Sequence, residues 1–169
     1  MSEAYEAVLF VADGQPLFSL DDLSSELSLR LVRVDDRICG IYRVAPRPDR
    51  FDHPSVEALA SEVSARAGSA LAAFYDNQVG LRSAVLYSGG ERLREFGTAD
   101  EWWCPMADDG TPVEGAAPCR LADIPPDEEY ECRVSAIDAA LKAIGAGYVP
   151  RGRLVDAFCY GRAEVLETR

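Results

Sequence analysis

Hydrophobic residues in the first 97 positions follow two spacings, one typical of strands and one typical of helices. Helical spacing, with apolar residues every three or four positions, occurs at 19–28 and at 54–67. Runs rich in β-branched and aromatic residues, each followed by turn-forming residues, predict strands at 4–12, 31–34, 38–44, 69–75, 81–87 and 91–96. The pattern therefore predicts strands with two helices inserted between them.

Capping residues support both helices. Ser19 and Asp22 match the S-x-x-D pattern of a capping box, which places a helix start at Ser19. Pro54 in a first turn and Gly68 after a last turn are typical of the two ends of a helix. We therefore expect helices at both places.

The C-terminal part of the chain, from residue 128, predicts one further helix and one further strand. The helix is expected at 128–144, with a continuous apolar face formed by Tyr130, Val134, Ile137, Leu141 and Ile144. The apolar run at 154–160 predicts a final strand. Residues 98–129 between these parts are irregular and rich in proline.

The order of elements in residues 1–97 is β-α-β-β-α-β followed by a β-meander. This succession resembles the ferredoxin-like, or split βαβ, arrangement, and the resemblance concerns element order only. We predict a single α+β domain over 1–169, with an antiparallel sheet of six or seven strands and helices on one face. Within it, 1–97 form the core, 98–129 an acidic irregular segment, and 130–169 the last helix and strand.

Composition narrows the class of protein. The chain has 169 residues, of which 48% are hydrophobic and 27% charged, and such a chain buries a core without disulfides or metals. No apolar run approaches the roughly 20 residues of a membrane-spanning helix, and the N-terminus has no basic region typical of a secretory signal. A net charge of −12 disfavours nucleic-acid binding, which needs clustered Lys and Arg.

The cysteines indicate a reducing compartment. There are five, at irregular positions, and none form the closely spaced pairs of a structural zinc site. We interpret Cys39 and Cys159 as small core residues and expect a cytoplasmic protein, of bacterial origin.

Almost all of the net charge belongs to residues 95–131, called here the acidic segment. It contains 11 acids and one base, Arg120, and therefore carries −10, whereas the remaining 132 residues carry −2. The segment also contains both tryptophans, Trp102 and Trp103. An acidic cluster beside aromatic residues is typical of a surface that recognises a basic protein.

Three interpretations of the acidic segment stay open at this point. It is a solvated loop without a partner, a recognition surface, or an oxygen-ligand site for calcium or magnesium. The calcium-loop pattern D-x-[DN]-x-[DN]-G is absent, so we predict no metal and no cofactor. For the recognition surface, the predicted contact residues are Asp100, Glu101, Trp102, Trp103, Asp108 and Asp109.

Catalysis has little support in the sequence. The chain lacks the G-x-S-x-G, G-x-x-x-x-G-K-[ST] and G-x-G-x-x-G patterns, and its only histidine is His53. Any Cys-His pair must use His53, and Cys39 is the nearest cysteine in sequence. We therefore expect a non-catalytic protein that binds a basic partner, like an inhibitor or immunity protein. The alternative is a small enzyme or ligand-binding domain built around Cys39 and His53.

Overall fold

The computed structural model describes residues 3–44, 53–103, 108 and 133–169. Three helices lie within these ranges, α1 (His53–Ala67), α2 (Ala136–Ala143) and α3 (Arg151–Cys159). The strands are β1 (Ala4–Val11), β2 (Leu29–Arg33), β3 (Ile38–Arg43), β4 (Ser69–Asp76), β5 (Leu81–Ser88), β6 (Glu91–Phe96), β7 (Trp102–Trp103), β8 (Arg133–Val134) and β9 (Glu164–Thr168). An α+β protein follows from this inventory, as predicted.

Seven strands form one antiparallel sheet in the order β6-β5-β4-β1-β3-β2-β9. The first six match the strands predicted from the sequence, and β2 begins two residues before the predicted start. Two further strands, β7 and β8, pair with each other outside the main sheet. None of the helices in the described ranges is long and apolar enough to cross a membrane.

Helices cover both faces of the sheet, so the prediction that they lie on one face is wrong. Alternate side chains of β1 point to opposite faces. Val8 and Phe10 pack with α1, whereas Ala7 and Leu9 belong to the core that includes α2 and α3. The physical reason is that the central strands are apolar at consecutive positions, and burying both sides of a strand requires a covering layer on each side.

The predicted helix at 19–28 is wrong in extent. Ser19 and Asp22 do form the expected capping box, but it starts only a 3-10 turn, Leu20–Asp22, after which Leu23 is extended. Leu20 and Leu23 are nevertheless buried in the core on the α1 face. Ser24 and Ser25 follow, and serine has a poor preference for helix interiors.

The C-terminal part also differs from prediction. Residues 154–160 were expected to form a strand, but the chain forms α3 there, beginning after Pro150 and ending before Gly161, whose φ is +64°. The third predicted helix, 128–144, is observed only as α2, which begins after the capping residue Ser135. Its predicted start is wrong where the structure describes it, because Val134, expected on the apolar helix face, lies in β8 and pairs with Trp102. Residues 128–132 lie outside the described residues. The final strand is β9, which no pattern predicted. With one 3-10 turn between β1 and β2, the ferredoxin-like succession of elements is not confirmed.

A close approach joins α3 to the middle of the sheet. A Cβ added to Gly40 would lie 2.4 Å from Phe158 Cζ, so only glycine leaves room for that ring. The Phe158 ring packs against Tyr5 and Tyr42, with centroid distances of 5.1 and 5.4 Å. This aromatic cluster holds α3 against β1 and β3.

Candidate functional site

The acidic segment leaves the sheet at the end of β6. Phe96 is only 2% exposed and fixes this point in the core, and the Arg94 guanidinium lies 4.2 Å from the centre of its ring. A 3-10 turn, Thr98–Asp100, then directs the chain into β7. The beginning of the segment is therefore held by packing against the sheet.

Asp100 stabilises this turn. One carboxylate oxygen accepts a hydrogen bond from the Gly97 N–H at 3.0 Å, and the other forms an ion pair with Arg94. A carboxylate in this position caps the turn and is partly neutralised by the arginine. Asp100 was predicted as a partner-binding residue, and its described contacts are with its own chain.

Glu95 also forms an ion pair with an arginine of its own strand, β6. The Arg92 guanidinium lies 3.3 Å from Glu95 and 3.1 Å from Glu57 of α1. Glu57 also accepts a hydrogen bond from the Tyr87 hydroxyl at 2.9 Å. Burial, and secondarily Glu57, raises the pKa of Tyr87. This network joins α1 to the β5–β6 hairpin, so Glu95 also has a local structural role.

Trp102 is an exposed aromatic residue near the start of the acidic segment. It pairs with Val134 across the β7–β8 ribbon and is 37% exposed. Trp103 pairs with Arg133 through the backbone, and Glu101, just before the ribbon, is half-buried. The ribbon thus presents an indole ring to solvent on a hydrogen-bonded backbone.

The remaining predicted contact residues are Asp108 and Asp109. Asp108 is exposed in a turn, and Asp109 lies outside the described residues, as does most of the acidic segment. Within the described part of the chain, no three Asp, Glu, His or Cys residues are grouped to hold a metal ion. The described carboxylates are therefore not arranged as a metal cage.

The structure does not bring Cys39 and His53 together. The His53 ring lies tilted against the Phe74 ring, with a centroid distance of 3.9 Å. Phe74 pairs with Glu6 of β1, whereas Cys39 pairs with Phe10. Glu6 and Phe10 are four residues apart along β1, or about 13 Å. Burial raises the pKa of the Cys39 thiol, so the protonated form predominates and is a poor nucleophile.

A groove that the sequence did not predict lies between α3 and one end of the sheet. Its volume is about 490 Å³, and it is lined by Glu3 and Tyr75 from the sheet end and by Gly152, Asp156, Tyr160 and Arg162 from α3 and the following turn. Pro150 and Gly161, at the two ends of α3, were the signals that could have predicted this helix. Because the sequence predicts a strand at 154–160, it does not predict the groove that α3 forms there.

Comparison of the chain with protein-family models, with curated proteins and with solved structures found no match. Function must therefore be argued from the chain's own geometry and charge.

Proposed function

We propose that this chain is a non-catalytic binding protein that engages a basic protein through its acidic segment. The observation that carries the proposal is the exposed Trp102, on a ribbon at the start of a segment with a net charge of −10. Large aromatic side chains contribute much of the energy at protein interfaces, and clustered charge accelerates encounter with an oppositely charged partner.

The local contacts divide the acidic residues into two groups. Glu95 and Asp100 are paired with arginines of β6, so they hold the beginning of the segment in place. Asp108 is exposed and lies with Asp109 further along the segment, and these two are the better candidates for attracting a partner. Trp102 then supplies short-range contact once the partner has arrived.

An inhibitor that masks a cationic enzyme, as immunity proteins do, has this distribution of charge. The likeness is one of electrostatics alone. The competing hypothesis of an enzyme at Cys39 and His53 loses support because His53, at the start of α1, contacts Phe74 beside Glu6 of β1, whereas Cys39 pairs with Phe10. The buried free thiol of Cys39 supports the proposal of a reducing, cytoplasmic compartment.

We also propose that the sheet is an extended split βαβ unit. The neighbour order β4-β1-β3-β2 supports it, and so does the position of α1 and the 3-10 turn on the same face. In this proposal the first helix has been reduced to one turn, and the acidic segment is an addition to the unit.

The experiment is affinity capture from a bacterial lysate with the wild-type chain and with the Trp102→Ala variant. Retained proteins are identified and quantified by mass spectrometry, and Leu17→Ala, which removes another exposed apolar side chain, is the control. We expect a basic protein to be retained by the wild type and the control and lost with Trp102→Ala. Equal recovery on all three would contradict the proposal.

A further inference from the structure

The groove beside α3 has the dimensions of a small-molecule site. Its volume of about 490 Å³ falls within the range of roughly 300–1,000 Å³ that is common for such sites. One wall is formed by α3 and its C-terminal turn, and the other by the start of β1 and the end of β4. Both walls are fixed, because Phe158 of α3 packs on Tyr5 of β1 with a centroid distance of 5.1 Å.

Acidic side chains outnumber basic ones among the described residues that line the groove. Asp156 is paired with Arg162 at 3.0 Å, so these two charges balance each other. Glu3 uses its backbone to bond Asn77, and no described residue forms an ion pair with its carboxylate. The groove therefore keeps one carboxylate charge that its described neighbours do not neutralise.

Two tyrosines form the aromatic part of the lining. Tyr75 is only 4% exposed, stacks on Tyr5 at 5.2 Å and faces the groove from the sheet. Tyr160 is 42% exposed, and the Arg162 guanidinium lies 5.0 Å from its ring centre. The face of an aromatic ring attracts cations, and Arg162 shows that this ring already accommodates one.

We propose that this groove binds a small organic amine in its protonated form. The ammonium group is held by the Glu3 carboxylate, with Asp156 adding negative charge, and the organic part lies along Tyr160 and Tyr75. This proposal concerns a site different from the acidic segment and does not depend on the proposed protein partner.

The alternatives fit the lining less well. An anion would meet the Glu3 and Asp156 carboxylates, whose charges outnumber that of Arg162. A metal ion would find two carboxylates, and the described residues contain no cluster of three ligating side chains. A neutral molecule would leave the Glu3 charge uncompensated in the occupied groove.

The test uses three probes of similar shape and different charge: phenethylamine, 2-phenylethanol and 3-phenylpropionate. Each is titrated into the full chain, and binding is followed by the amide resonances of Gly152 and Arg162 in ¹H–¹⁵N spectra. We expect saturable shifts with phenethylamine, and shifts at least tenfold weaker in affinity with the other two. Equal affinity for all three probes, or no saturable shift with the amine, would overturn the proposal.

Two variants and a control separate this site from general attraction to an acidic protein. Glu3→Gln is expected to weaken phenethylamine binding about tenfold, because the ammonium group loses its carboxylate. Tyr160→Ala is expected to weaken it about threefold, because the aromatic part of the amine loses its contact with that ring. Glu164→Gln removes the same charge from an exposed position on β9 and should leave the affinity unchanged. A similar loss in Glu3→Gln and Glu164→Gln would contradict the site. Thermal melts of each variant confirm that the fold is retained.

Discussion

Gly40 is the residue at which the fold depends most directly on the absence of a side chain. Gly40→Ala would place a methyl group 2.4 Å from Phe158 Cζ, and this ring is only 1% exposed within the core. We predict a loss of about 1–3 kcal/mol in the free energy of unfolding, measured by urea denaturation. Gly14→Ala is the matched control, because a Cβ at Gly14 has nothing within 4 Å, and it should change stability little.

Cys39 makes the free energy of unfolding depend on pH. Burial raises the pKa of its thiol above the ordinary value of 9.0, so the unfolded chain releases the proton at lower pH than the folded chain. The stabilisation that the protonated thiol gives the folded state is complete below pH 9, and it is lost as the pH rises through the pKa of Cys39 in the folded state.

The corresponding measurement is urea unfolding between pH 8 and pH 10.5 for the wild type and for Cys39→Ala. We expect the wild type to lose additional stability over this range, by at most about 1.4 kcal/mol per pH unit. The variant should lack that additional slope. Parallel pH profiles of the two proteins would show that the Cys39 thiol ionises equally in both states.

At the scale of elements, α2 offers the sharpest test of a predicted apolar face. Ile137 is 2% exposed within the core, as the sequence predicted, and Ile137→Ala should cost about 2–5 kcal/mol. Lys142→Ala, on an exposed position of the same helix, should cost less than about 1 kcal/mol. Equal shifts of the urea midpoint would contradict the packing of this helix.

The elements also show why some predictions from sequence were correct and others wrong. Helix α1 has both an apolar stripe and end signals, and its bounds match the prediction within one residue. Residues 19–28 have a capping box, but a cap fixes only where a helix begins, and this one ends after a single turn, before Ser24 and Ser25. Residues 154–160 are a short apolar run, which periodicity alone does not assign to strand or helix.

At the scale of the whole molecule, the apolar runs of β1 and β4 already indicate that both faces of the sheet are covered. Each strand has buried residues at consecutive positions, which a half-exposed strand does not tolerate. The groove was not predictable, because its lining comes from residues as distant as Glu3 and Arg162 and depends on α3, whose short apolar run predicts a strand.

The sequence shows the acidic segment, but it does not show which of its acidic residues form ion pairs within the chain and which are exposed. Net charge counts all 11 acids equally, whereas the fold pairs Glu95 and Asp100 with arginines of β6. Substituting Asp100 would disturb the turn at Gly97 as well as any surface charge. Asp108→Asn with Asp109→Asn is therefore the better test of electrostatic attraction, and Asp21→Asn with Asp36→Asn removes equal charge elsewhere.

The most direct test of the binding proposal is the kinetics of association with the basic protein recovered by capture. We predict that the association rate falls steeply as salt rises to and above about 0.1 M, where the screening length is near 10 Å. The Asp108/Asp109 variant should associate more slowly than the Asp21/Asp36 control, and Trp102→Ala should dissociate faster, by a factor equivalent to about 2 kcal/mol. An association rate independent of salt, with both variants behaving as wild type, would show that the acidic segment serves only to solubilise the protein.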